Sequence, residues 1–262
     1  MIEQEADIVF NRMIARNTFL MALKSPEITS LARPGQFVMV RVSKSADPLL
    51  RRPFSICGTR GGDCFMILYR VVGVGTAILR NAGKGDRLSV LGPLGRPFDF
   101  SEKGKTSFLV AGGIGIAPLL FLAGVMDPGE CMLLAGYGTS AEVVPVEQVG
   151  LSQENLLIAT DDGTLGHKGV VTDLLEGQLG KWHRGRPVLF ACGPLPMLKR
   201  VAAMSFEREL ECQVSVETAM ACGIGACQGC AVRASSRETQ PYLQVCRHGP
   251  VFSIRSLDWK AL

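Results

Sequence analysis

Histidine and the large aromatics are scarce: 262 residues hold three histidines, two tryptophans and three tyrosines. His167, His183 and His248 lie in polar, loop-like contexts and read as surface residues, leaving little for histidine-based acid–base chemistry. An excess of one charge is missing too. The formal net charge is +4, with basic and acidic residues interspersed and no basic stripe carrying aromatics, which argues against nucleic acid. Long apolar runs are absent: stretches such as Ile114–Met126 fall short of the ~20 residues a bilayer helix needs and contain Gly and Pro. The opening MIEQEADIVF is acidic and lacks the order of a signal peptide, so a cytoplasmic protein without membrane contact is expected. No tandem repeat or low-complexity tract occurs, and 47% hydrophobic against 20% charged residues excludes disorder.

What is abundant is cysteine, and its placement is uneven. Nine cysteines, an odd number, suit free, metal-bound or catalytic thiols in a reducing compartment better than a disulfide framework. Cys57, Cys64, Cys131 and Cys212 lie in strand-like contexts as small apolar residues. Cys222, Cys227 and Cys230 form C-x4-C-x2-C inside ACGIGACQGC, and Cys246 follows after fifteen residues. The plant-type [2Fe–2S] pattern has this spacing plus a later fourth cysteine. Gly223, Gly225, Ala226 and Gly229 let backbone N–H groups approach inorganic sulfides and permit positive φ. Two other readings compete. Zinc sites usually pair C-x2-C knuckles, but Cys246 has no cysteine partner. A thioredoxin-like Cys227/Cys230 pair would open a helix after a strand, which Cys222 and the glycines oppose.

The length exceeds one typical domain. Over residues 1–100, short β-like segments at Asp7–Ile14, Thr18–Leu23, Gln36–Val42, Phe54–Cys57, Cys64–Val72 and Arg87–Val90 suggest an antiparallel barrel. The polar segment Ser101–Ser107 reads as a linker. Over 101–211 the strands Phe108–Ala111, Cys131–Gly136, Leu156–Thr160 and Val188–Ala191 alternate with helices at Ala117–Met126, Val170–Leu179 and Leu195–Glu209, which predicts a doubly wound parallel α/β domain. Residues 212–262 form a small cysteine- and glycine-rich module.

Four further stretches carry chemistry. Arg52, Pro53, Phe54 and Ser55 place a guanidinium and a hydroxyl at a strand start, suited to a pyrophosphate and a flat flavin edge, though an ordinary solvated turn has the same composition. Gly73-Val74-Gly75-Thr76 before a helix-capable run is either a phosphate-cradling turn or a plain helix cap. Gly112, Gly113 and Gly115 follow a buried strand and open a helix, the place where a nucleotide pyrophosphate rests. Cys192-Gly193-Pro194 ends another strand at the same sheet edge, where Cys192 stands beside a nicotinamide or is simply a core cysteine.

RPFS, GVGT, GGIGIAP and CGP occur in the order of the ferredoxin–NADP reductase superfamily. With SVETAMACGIGACQGC, TDDGTLGHKGVVTD and the closing CRHGPVF, the whole chain resembles the electron-transfer subunits of class 1B, NAD-dependent dihydroorotate dehydrogenase. The resemblance implies FAD against Arg52–Ser55, Leu68, Tyr69, Arg70, Gly75 and Thr76. It implies NAD as acceptor near Gly112, Gly113, Gly115, Gly193 and Pro194, and [2Fe–2S] on Cys222, Cys227, Cys230 and Cys246. An FMN-containing catalytic subunit would be the partner, as a heterotetramer of two of each, serving pyrimidine synthesis. The nearest rival is a related flavin/[2Fe–2S] NAD(P)H oxidoreductase subunit serving another partner such as ferredoxin. The fourth cysteine follows far sooner than in plant ferredoxins, so the cluster's surroundings need not be ferredoxin-like.

Overall fold

The computed structural model describes residues 1–43, 45, 47–101, 106–127, 129–183 and 185–262. Six strands close a barrel: β1 (Ile2–Ala15), β2 (Thr18–Lys24), β3 (Phe37–Arg41), β4 (Arg52–Arg60), β5 (Cys64–Arg70) and β6 (Arg87–Leu94). Their order around it is β1-β2-β5-β4-β3-β6, every pair antiparallel. Helix α1 (Pro26–Leu31) starts on a Ser25 cap, and α2 (Val74–Asn81) bridges β5 to β6. Closure depends on β1 being longer than its sequence suggests. Its first half pairs with β6 from Ile2↔Gly92 to Asp7↔Arg87, and its second half pairs with β2. Glu3, Glu5 and Asp7 alternate outward while Ala6 and Ile8 are buried, so the acidic opening is a strand with one charged face.

The second layer begins at β7 (Ser107–Gly112), followed by α3 (Ile116–Val125), β8 (Cys131–Tyr137), β9 (Leu156–Thr160), β10 (His167–Lys168), α4 (Val171–Lys181), β11 (Val188–Cys192), α5 (Leu195–Glu207) and β12 (Glu211–Ser215). The C-terminal stretch adds the hairpin β13 (Ala231–Arg233) and β14 (Tyr242–Gln244), a short α6 (Val245–His248) and β15 (Val251–Ser253). The sheet order is β10-β9-β8-β7-β11-β12-β15, parallel except for β15.

Helices cover both faces. The α3 side chains join one core cluster, and those of α4 and α5 join the other. Helix α3 has almost no polar face because it is sandwiched: Leu119, Leu120 and Leu122 pack on the sheet while Phe121 enters the barrel core.

The boundary expected between 211 and 212 falls inside β12, and β15 returns from the C-terminal stretch to the edge of the same sheet. Register across strands, which no local pattern announces, makes that join. Of the expected linker, residues 102–105 lie outside the described residues.

Candidate redox site

The carboxyl edge of the sheet, the barrel mouth and the C-terminal stretch meet at one place. A cleft of ≈ 490 Å3 between barrel and sheet is lined by Arg52, Pro53, Phe54, Ser55, Leu68, Tyr69, Arg70 and Thr76. Gly75 lies beneath: a Cβ there would stand 2.9 Å from Arg52 Nε, so the glycine lets Arg52 lie across the start of α2. The Thr76 hydroxyl accepts from the N–H groups of Val72 (3.0 Å) and Gly73 (3.2 Å), which shapes that turn. Tyr69 is held deeply, its ring between Phe19 and Phe54 and its hydroxyl donating to Asn11 Oδ1 (3.0 Å). Burial pushes that phenol up to about 12, so it remains a neutral donor.

A second cavity of ≈ 500 Å3 adjoins the first and is lined by Gly112, Gly113, Gly115, Gly193 and Pro194. The glycines are required by close approach. A Cβ on Gly112 would come 2.6 Å from Pro194 Cδ, and one on Gly115 would strike the Cys192 carbonyl. Cys192 is itself fully buried and is not among the lining residues; what it presents to the glycine turn is its backbone. Burial first, then the Glu217 charge, push its thiol well above the ordinary range, with Ser215 opposing only in part. Such a thiol is no nucleophile.

The wall common to both cavities adds four residues to the expected Arg70. Arg70, Ile114, Val216, Glu217 and Thr218 line both. Arg70 Nε and Thr218 Oγ1 are buried there without a hydrogen-bond partner, as donors awaiting a polar ligand would be. These residues fit a flavin and a dinucleotide. Burial raises the Glu217 carboxyl above its usual range. A further cavity of ≈ 320 Å3, lined by Asp99, Asp127 and Glu130, lies at the amino ends of the strands, away from the glycine turns.

The wall runs straight into the cysteine loop, since Met220 lines the barrel-side cleft two residues before Cys222. The loop's backbone is wound by positive φ at Gly223 (75°), Gly225 (84°) and Gln228 (61°). Winding turns N–H groups toward sulfur: Cys222 Sγ accepts from Ile224 (3.5 Å) and Cys227 (3.4 Å), Cys246 Sγ from Gly225 (3.1 Å), and Cys230 Sγ from Cys246 (3.5 Å). Burial opposes ionisation of Cys222, but the N–H groups of Cys227 and Ile224, the Cys227 thiol and the Ala226 N–H outweigh it and lower the thiol to about 6.

Among the described residues no three Cys, His, Asp or Glu side chains gather around a single ion. The thiols stand instead as two pairs, Cys222 with Cys227 and Cys230 with Cys246, the latter 3.2 Å apart. Two pairs of thiols lined by N–H donors fit a two-iron cluster better than one tetrahedral zinc. His248 is no loop residue: on α6, its Nδ1 accepts the Gln244 N–H (3.0 Å), and Gln244 in turn donates to Gly225 O (2.9 Å).

The profile of the iron–sulfur cluster binding domain of dihydroorotate dehydrogenase B matches residues 217–258. The electron transfer subunit of dihydroorotate dehydrogenase B (NAD(+)) from Desulforamulus reducens is 38% identical over 98% of both chains. The corresponding Geobacillus thermodenitrificans subunit is 41% identical over 94% of both.

The chain belongs to the electron-transfer subunits of NAD+-dependent dihydroorotate dehydrogenase B.

Among solved structures, a chain of an NADH-dependent reduced ferredoxin–NADP oxidoreductase superposes with a TM-score of 0.84 at 30% identity, covering 97% of this chain and 90% of its own. A ferredoxin NADP+ reductase from Neisseria gonorrhoeae shares the fold alone, with a TM-score of 0.58 at 15% identity, covering 78% of this chain and 91% of its own. No helix among the described residues is long and apolar enough to cross a membrane.

Proposed function

We propose that this subunit holds [2Fe–2S] on Cys222, Cys227, Cys230 and Cys246 and seats FAD along Arg52–Ser55, Leu68–Arg70 and the Gly75–Thr76 turn. In the same reading it receives NAD+ on Gly112, Gly113, Gly115, Gly193 and Pro194. The observation that carries the proposal is contiguity: the segment Ser215–Met220 walls the flavin cleft, shares Val216, Glu217 and Thr218 with the nucleotide cavity, and leads directly into Cys222. When bound, a flavin exchanges hydride with a nicotinamide and single electrons with an iron–sulfur cluster. The chain's own residues bind and orient. Arg52 and the start of α2 receive phosphate, β4 and β5 hold the flat ring, and the glycine turns admit the dinucleotide without a clashing Cβ. Nothing in this chain need act as a base on dihydroorotate. That oxidation belongs to a partner catalytic subunit carrying FMN, with two copies of each subunit in the complex. Nine free thiols suit the reducing cytoplasm, where we place it.

The ferredoxin-linked structure at 30% identity supports one alternative, a subunit of the same design serving ferredoxin. Higher identity over nearly the whole length to dihydroorotate dehydrogenase B subunits, with all four cysteines present, favours the first reading. Reconstitution separates the two. Purified with the catalytic subunit, the loaded protein should contain FAD and about two irons per chain and reduce NAD+ with dihydroorotate. A pair that forms but reduces no NAD+, while ferredoxin exchanges electrons rapidly, overturns the proposal.

A further inference from the structure

Glu142 stands where the nucleotide-binding layer meets the barrel. It ends a short turn, Ser140–Glu142, beyond β8, and its side chain is 20% exposed. Oε1 accepts from Arg16 Nη2 (2.6 Å), at the turn joining β1 to β2. Oε2 accepts the Gly138 N–H (3.3 Å) and lies 3.5 Å from Arg70 Nη2, at the end of β5. The Arg16 N–H also donates to Ala141 O (2.8 Å). One carboxylate thus gathers two barrel corners and the loop that follows a sheet strand.

Arg70 is the arm of this group that faces ligand. It lines both cavities, its Nε is buried without a partner, and a Cβ on Gly113 would lie 3.8 Å from its Nη2. The guanidinium is therefore poised beside the glycine turn, gripped at one end and unsatisfied at the other. A free arginine has many rotamers, and ordering it on binding weakens affinity; a gripped one loses less. A carboxylate beside an anion's seat would repel the anion, but Arg16 neutralises it, so the group Arg16–Glu142–Arg70 keeps one net positive charge.

We propose that Glu142 is a positioning residue for the NAD+ step: it holds Arg70 beside the Gly112–Gly115 turn so that the guanidinium meets the phosphates of the docking dinucleotide, while Arg16 offsets its charge. The inference rests on the reading that NAD+ docks on that turn. Calorimetric titration of NAD+ into the FAD-loaded protein, with steady-state kinetics of the reconstituted complex, tests it. In Glu142→Gln, compared with the unaltered protein at equal FAD occupancy, Kd and KM for NAD+ should rise about tenfold, as for loss of one charge-assisted contact, with kcat within about twofold. Glu142→Asp, which keeps the charge on a shorter arm, should fall between. In an Arg70→Ala background Glu142→Gln should add nothing, because its effect passes through Arg70. An unchanged Kd in Glu142→Gln, or a full additional loss in the Arg70→Ala background, overturns the positioning role alone. Failure of the unaltered protein to bind NAD+ overturns this inference together with the reading beneath it.

Discussion

Gly223 of the cluster loop lies directly against Met39 of barrel strand β3: a Cβ on the glycine would come 2.5 Å from Met39 Cγ. Met39 is in register with Pro53, one of the residues lining the flavin cleft, so the loop rests on the strand beside that cleft. Gly223 also has φ +75°, which an L side chain resists. Gly223→Val should lift the loop from the barrel and strain its backbone. We expect a loss of roughly 1–3 kcal/mol in thermal or urea unfolding, with iron content reduced and FAD content kept. Normal iron content and stability in this variant would show that the contact is dispensable.

Cys227 is the exposed member of the four thiols, so its replacement disturbs packing least. Cys227→Ser should lower bound iron and the cluster's absorption while leaving FAD bound and reducible by NADH. Electron exchange with the catalytic subunit should fail. Retention of about two irons per chain would remove Cys227 from the ligand set.

Arg52 and Gly75 form a pair whose roles can be separated. Arg52→Ala should weaken FAD binding about tenfold or more through loss of a charge-assisted contact. Gly75→Ala should also weaken it, since the new methyl pushes Arg52 aside. Alanine favours a helix over glycine by roughly 0.5–1 kcal/mol, so stability should hold or rise as affinity falls. Fluorescence titration of the apoprotein with FAD, read beside thermal unfolding, checks both, and a Gly75→Ala protein with undiminished FAD affinity would contradict the assignment.

Burial raises the Glu217 carboxyl above its unfolded value. The folded state then holds a proton that the unfolded state has released, so this acid, desolvated along the cleft wall although part of its surface stays exposed, lowers stability progressively as pH rises from the unfolded carboxylate range through the folded pKa. Glu217→Gln should therefore be the more stable protein at neutral and alkaline pH, and the gap should close on acidification. Urea unfolding of both proteins between pH 4 and 8 measures this; a gap that is constant or widens toward low pH contradicts it.

Much of this site is legible from local sequence because its parts are local. The C-x4-C-x2-C run with its glycines, the strand–glycine–helix turn at Gly112–Gly115 and the RPFS strand each fit within about ten residues, and each is where the residue order places it. Cys212–Ser215, grouped from composition with the cysteine-rich module, belong to β12, a strand held between β11 and β15 in the large sheet. Its neighbours Val188–Cys192 and Val251–Ser253 decide that, and neither is near it in the register that composition can see. From their immediate surroundings His248 reads as a loop residue, and Cys192 as either a residue beside a nicotinamide or a core cysteine. The fold makes the first a hydrogen-bond acceptor on α6 and buries the second completely.

By itself, then, the order of residues determined a barrel ahead of a parallel sheet, and it singled out the candidates for the chemistry: four thiols proposed to ligate iron together and glycine turns proposed to approach phosphate. These depend on spacing and small side chains, which are properties of neighbours in the chain. Only the tertiary structure decided how the three sites connect. Glu217 and Thr218 wall two cavities because β12 ends between them, Gly223 touches Met39 across 184 residues of chain, and Glu142 reaches Arg16 and Arg70 because the loop after β8 meets two barrel corners. Such contacts arise from strand register and the docking of one layer on another, where long-range burial rather than local pattern selects the neighbour.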